Sequence, residues 1–126
     1  MAKIVLITLY DQGALGARHL SASLQAEGHS VHLVFFKRYR TVLRRALEPD
    51  SGELLHQGVD LSGRDVVMGL SSKVSDREMV IFQELMEELQ PDVLGFSLRS
   101  ISMSTAAKLT DALRSRTKAP VVWGGI

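Results

Sequence analysis

Three short stretches carry residue types able to hold a polar or anionic ligand. Tyr10-Asp11-Gln12-Gly13-Ala14-Leu15-Gly16 is a glycine-bearing loop that opens a helical pattern, so free N–H groups at the helix start can receive phosphate or another anion. The same glycines equally let a helix begin close to a strand, and neither the G-x-G-x-x-G pattern nor the Walker lysine motif is present. Gly95-Phe96-Ser97-Leu98-Arg99-Ser100-Ile101-Ser102 is rich in hydroxyls, which either bond a polar ligand or cap the helix that follows. Gly124-Gly125 admits the bulk of a ligand close to backbone, or simply makes a turn.

Other chemistry is thin. With no cysteine, the chain has no disulfide framework, no cysteine-based zinc site and no iron-sulfur cluster on its own thiolates. His29 and His32 flank the start of a strand, His19 lies within a helix and His56 in an irregular stretch; no pair has metal-ligand spacing with supporting carboxylates. Lys37, Arg38, Arg40, Arg44 and Arg45 form a local basic cluster, of the kind that is usually a solvated face or a domain contact, and Glu84, Glu87 and Glu88 read as the wet face of a helix. No nucleophile-elbow serine and no acid–base pair stands out. A receiver-type phosphoacceptor site would need an acidic cluster after the first strand and an Asp after the third; the chain offers a lone Asp11, and Ser97 at the second place.

The elements that must position the three loops follow from the apolar periods. Ile4–Leu9 is a nearly unbroken apolar run, the pattern of a strand buried on both faces. Ala17, Leu20 and Leu24 then recur at helical spacing up to Gly28, and Val31–Phe36 is a second strand, which together make one parallel βαβ unit. Ser75 and Glu78 fit a capping box ahead of a helix whose core stripe is Phe82, Leu85, Met86 and Leu89, stopped by Pro91. Asp92–Phe96 is the third strand, with Ser97–Ser102 as the loop at its carboxyl end. A further helix with Thr105, Ala106, Leu109 and Leu113 on one face leads through Pro120 to a fourth strand, Val121–Trp123. Within residues 37–74, Val42, Leu43, Ala46 and Leu47 suit a short helix ended by Glu48-Pro49, and Asp65–Leu70 suits a small strand or ordered loop.

Strands alternating with helices specify an α/β fold: a Rossmann-like, flavodoxin-like doubly wound parallel sheet in three layers, with strand order 2-1-3-4. In such sheets ligands sit outside the carboxyl ends of the strands, where the order reverses. That point lies between the first and third strands. The residues to interrogate are therefore Tyr10, Asp11, Gln12, Gly13, Ser97, Leu98, Arg99, Ser100, Gly124 and Gly125.

At 126 residues the chain is expected to be one domain, 1–126, and the near balance of 15 Lys plus Arg against 14 Asp plus Glu gives no overall case for nucleic acid as a partner. The Ile4–Leu9 run is too short to span a bilayer and Asp11 follows closely, so no membrane partner is expected and a cytoplasmic location is the default reading.

Read in order, Lys3-Ile4-Val5-Leu6-Ile7, the Gly13 to Gly28 helix ending in Glu27-Gly28-His29-Ser30-Val31, Pro91-Asp92-Val93-Leu94-Gly95-Phe96-Ser97 and Pro120-Val121-Val122-Trp123-Gly124-Gly125-Ile126 resemble the cobalamin (B12)-binding domain at the amino end of many radical S-adenosylmethionine (radical SAM) enzymes. The wider family carries D-x-H-x-x-G after its first strand. This chain has Asp11-Gln12-Gly13-Ala14-Leu15-Gly16, with Gly13 where the cobalt-ligating imidazole would stand, as in many radical-enzyme members. The family's S-x-L motif is half kept, with Ser97 present and Arg99 at the Leu place, and its double glycine matches Gly124-Gly125.

What the resemblance implies is a corrinoid-binding module that holds cobalamin without a histidine lower ligand. Backbone at Tyr10–Gly13 would frame the corrin's lower face, Ser97 would hydrogen-bond the nucleotide tail, and Gly124 with Gly125 would leave room for it. It also implies a fifth strand, a last helix and a downstream radical SAM barrel beyond Ile126, where S-adenosylmethionine and a 4Fe-4S cluster would be held. The fragment alone would then not be catalytic, and the unpaired apolar edge at Val121–Trp123 would favour self-association. The rival expectation is a non-catalytic docking or regulatory domain that kept the sheet and lost its ligand. A flavin or nucleotide binder of flavodoxin type fits less well, because the first loop lacks a hydroxyl-rich phosphate cradle.

Overall fold

Lys3–Leu9 forms β1, in which every residue from Ile4 onward is buried, as its unbroken apolar run requires. The computed structural model describes residues 1–11, 13–37, 40–43, 54–71 and 73–125. After β1 come α1 (Leu15–Ala26), β2 (Ser30–Phe36), three strands β3 (Arg40–Leu43), β4 (Leu54–Val59) and β5 (Asp65–Ser71), then α2 (Asp76–Leu89), β6 (Val93–Leu98), a 3-10 turn at Ser100–Ser102, α3 (Met103–Leu113) and β7 (Val121–Gly125). The main sheet has the order β2-β1-β6-β7 with every neighbouring pair parallel, the 2-1-3-4 arrangement of an α/β fold. No helix among the described residues is long and apolar enough to cross a membrane.

Local chemistry sets the helix ends. Gly28 at φ +90° closes α1 in a Schellman motif, its N–H bonding Gln25 O while His29 N–H bonds Leu24 O. His29 then accepts from the Ala2 amide through Nδ1, so this histidine ties the chain start to β2 at the end of the sheet away from the carboxyl edge. The Ser75–Glu78 capping box forms in both directions, the Ser75 hydroxyl accepting from Glu78 N–H and the Glu78 carboxylate from Ser75 N–H. Ser75→Ala is expected to lower stability by about 1 kcal/mol, seen as an earlier urea midpoint at unchanged slope.

The two faces of the main sheet are unequally covered. Val5, Ile7 and Leu9 of β1 with Leu94, Phe96 and Leu98 of β6 pack against Phe82 and Met86 of α2 and Ala106, Leu109 and Leu113 of α3, which makes this side the core. Phe36 meets Phe82 edge to face at 5.4 Å between ring centroids. The opposite face, with Ile4, Leu6, Val93, Gly95 and Val122, has α1 alone beside it among the described residues. A single helix leaves much of a four-stranded face open, and so Leu20, at a core-facing spacing in α1, stays 49 % exposed.

Residues 37–74 differ from expectation. They hold a second sheet, antiparallel, in the order β3-β5-β4. The helix expected from Val42 is not formed at its start, because Val42 and Leu43 pair with Val67 and Val66 in extended conformation. β-branched Thr41 and Val42 favour that outcome. Ala46 and Leu47 lie outside the described residues. Of the small strand or ordered loop expected over Asp65–Leu70, the strand is what forms, within β5. Asp60 organises the β4–β5 turn by accepting from Ser62 N–H, Ser62 Oγ–H, Arg64 N–H and the Arg64 side chain. The Ser62 hydroxyl first, then the Arg64 amide, hold its carboxyl well below the usual carboxylate range. The support this group gives the turn is thus full above the ordinary carboxylate pKa and fades as pH falls from there through the depressed one.

Candidate functional site

The strand order reverses between β1 and β6, and the chain's three candidate stretches meet there. A crevice of about 590 Å³ at the carboxyl edge is lined by Thr8, Asp11 and Gly13–Gly16 from the β1–α1 side, Ser97–Arg99 from β6, and Gly125 from β7. It is joined through Gly16, Ser97 and Gly125 to an apolar groove of about 510 Å³ that runs down the open face of the sheet beside Ala17, Leu20 and Leu24.

The β1–α1 turn is built by its own side chains. Tyr10 takes φ +60° and Ala14 φ +42°, two left-handed residues that fold the chain back over the strand end. The Asp11 carboxylate accepts from the Gly13 and Ala14 amides at 3.1 and 3.0 Å, and Thr8 Oγ1 donates to Asp11 O. α1 starts without a side-chain cap at Ala14, and its first two residues, Leu15 and Gly16, line the crevice. The Tyr10 side chain points away from the crevice into the core, its hydroxyl 3.0 Å from Thr105 Oγ1 on α3. Tyr10 lines neither cavity, and its N–H donates to Phe36 O, so the structure does not bring this candidate residue to the crevice. Gln12 lies outside the described residues.

On the β6 side, the loop expected at Ser97–Ser102 is shorter than its sequence suggested. Ser97 and Leu98 continue β6 in register with Gly124 and Gly125, and Ser100–Ser102 forms the 3-10 turn. Parallel pairing to β1 on one side and β7 on the other extends the strand past the point where its apolar run ends. Gly124 and Gly125 likewise belong to β7 rather than to a following turn. The serines divide by role. Ser102 is buried, accepts from Arg99 N–H and donates to Arg99 O, so it is structural; Ser100 is exposed beside a smaller hollow shared with Met103 and Trp123; Ser97 is exposed at the junction of crevice and groove. Leu98 is buried on the α3 side and contributes only its edge to the crevice.

Arg99 spans the mouth, one guanidinium nitrogen 3.3 Å from the Asp11 carboxylate, and so links the two loops across the opening. Both groups are partly exposed, so the pair contributes at most about 1 kcal/mol. It is a weak latch between the two loops.

The glycines explain the shape of the groove. A Cβ at Gly16 or Gly124 meets no atom within 4 Å, so both positions keep space open on opposite walls. Gly125 is different: at φ +125° its Cβ would overlap Leu98 O, so it is needed for β7 to approach β6 at all. Leu20, Leu24, Val93 and Val122 line the groove and were not among the candidate site residues. Their apolar spacing matches a filled core, and only the count of helices on each face distinguishes an open wall from a closed one. None of the described residues lining either cavity is a histidine.

Comparison with protein-family models, curated proteins and solved structures found no match for this chain.

Proposed function

We propose that this domain binds a corrinoid, with the crevice taking the edge of the macrocycle and the groove its nucleotide tail. The observation that carries the reading is the junction of two cavities of different chemistry at Ser97. A mouth with a charged pair and backbone amides opens into an apolar slot, and each part falls within the size range of ligand sites. A ligand with one broad polar-fringed part and one flat tail suits that shape better than a compact nucleotide does. Ser97 Oγ would hydrogen-bond the tail, backbone at Asp11 and Gly13 would face the corrin, and Gly124 with Gly16 would leave the slot open. Gly13 supplies no side chain, so the chain would hold cobalamin without a histidine beneath its metal. When bound, the corrin supplies the organometallic chemistry, and the protein's share is to bind and orient it. Pairing with a radical SAM barrel, with its own S-adenosylmethionine and 4Fe-4S cluster, belongs to the same proposal.

Titration of the chain with hydroxocobalamin, followed by visible absorbance and by retention through desalting, tests it. Saturation near one equivalent supports the reading; an unchanged spectrum with no retained cofactor sinks it. The Arg99–Asp11 latch favours the second reading, a docking or regulatory domain without a cofactor, because it closes the mouth with the chain's own side chains. Arg99→Leu restores the family's S-x-L pattern and opens that latch. On the corrinoid reading it is expected to tighten hydroxocobalamin about three- to tenfold; on the docking reading neither form binds.

A further inference from the structure

The S-x-L pattern has Leu at the place of Arg99, and the structure sets this residue's charge at the mouth of the crevice. Among the described residues lining the crevice, Asp11 and Arg99 alone are charged. Their bonds are arranged unequally. Asp11 accepts from the Gly13 and Ala14 amides through Oδ1, at 3.1 and 3.0 Å, and meets Arg99 through Oδ2 at 3.3 Å. The carboxylate therefore keeps two charge-assisted backbone bonds when the guanidinium turns elsewhere. Arg99 in turn swings from a fixed point: its N–H donates to Ser102 Oγ and its carbonyl accepts from the same hydroxyl, while the side chain is 57 % exposed.

A ligand that covers this mouth takes both charges out of water. If its rim carries only neutral amides, the ion pair must stay closed beneath it or be buried broken, and an unpaired buried guanidinium is costly. A rim with a carboxylate of its own removes that conflict. Like replaces like on Arg99, in the forked geometry that guanidinium and carboxylate share, and Asp11 keeps its two amides.

We infer that Arg99 is a specificity-determining residue, selecting a corrinoid with a free carboxylate on the rim of its macrocycle over one whose rim side chains are all amides. The inference rests on the corrinoid reading and adds to it the class of corrinoid. A leucine at this place would give a carboxylate no partner.

Hydroxocobalamin, whose rim side chains end in primary amides, is compared with its monocarboxylic acids, made by partial hydrolysis of one rim amide and separated as isomers. The two differ in one group and share the same tail. In equilibrium titrations at neutral pH and low salt, at least one monoacid is expected to bind the parent chain about five- to tenfold more tightly than hydroxocobalamin. The margin should narrow as salt is raised. Arg99→Leu should invert the order, since it removes the carboxylate's partner and, by opening the latch, favours the all-amide form. Asp11→Asn leaves an oxygen for the two amides but withdraws the competing charge, and should widen the monoacid's margin about threefold. Arg116→Leu, which removes a partly exposed cation beyond α3, should leave the margin unchanged.

Hydroxocobalamin bound with no monoacid preferred overturns the inference and leaves the corrinoid reading standing. A preference that survives Arg99→Leu, or that Arg116→Leu abolishes as readily, overturns Arg99 as its source. If neither corrinoid binds the parent chain or the variants, the corrinoid reading and this inference fall together.

Discussion

Gly125→Ala is expected to lower the stability of this domain by about 3 kcal/mol or more, whereas Gly124→Ala one residue earlier changes it by less than about 1 kcal/mol. The two positions are adjacent in one strand but physically unlike. Gly125 sits at φ +125°, where an L side chain is strained, and a Cβ there would overlap Leu98 O. Backbone cannot yield as a side chain tip can, so β7 must either peel from β6 or twist out of register. Gly124 has ordinary φ and open space around its would-be Cβ. Urea unfolding of the two variants checks the contrast. A Gly125→Ala midpoint equal to that of Gly124→Ala would mean that β7 does not approach β6 as described.

This contrast also shows where sequence reading reached and where it stopped. Ile4–Leu9, Val31–Phe36 and the Ser75–Glu78 capping box each declare their structure locally, and their order is enough to give the parallel sheet and its reversal point. The double glycine was legible as a place where something approaches closely. What approaches differs at each position, a strand at Gly125 and an open groove at Gly124, and that depends on the register with Leu98 and Ser97, which is a long-range property. Residues 37–74 were harder still. Val42 and Leu43 suit a helix or a strand by local pattern, and the choice fell to pairing with Val66 and Val67, more than twenty residues away. The Arg99–Asp11 contact joins residues 88 apart, so no local signal announces it.

Filling the groove from either wall is expected to abolish corrinoid retention without unfolding the chain. Gly124→Phe places a ring into the slot from the floor, and Gly16→Phe does so from the start of α1; neither would-be Cβ meets an existing atom within 4 Å. If the groove receives the ligand's tail, each change should weaken hydroxocobalamin binding at least about 100-fold, some 2.7 kcal/mol, while the urea midpoint stays near that of the parent chain. The pair separates an effect on the groove from an effect on one element. Gly124 belongs to β7 and Gly16 to α1, and both line the groove. Loss of binding in both variants therefore assigns the effect to the groove. Binding kept by both, at parent affinity, would remove the groove from the site and leave the crevice between Asp11 and Arg99 as the part that holds the ligand.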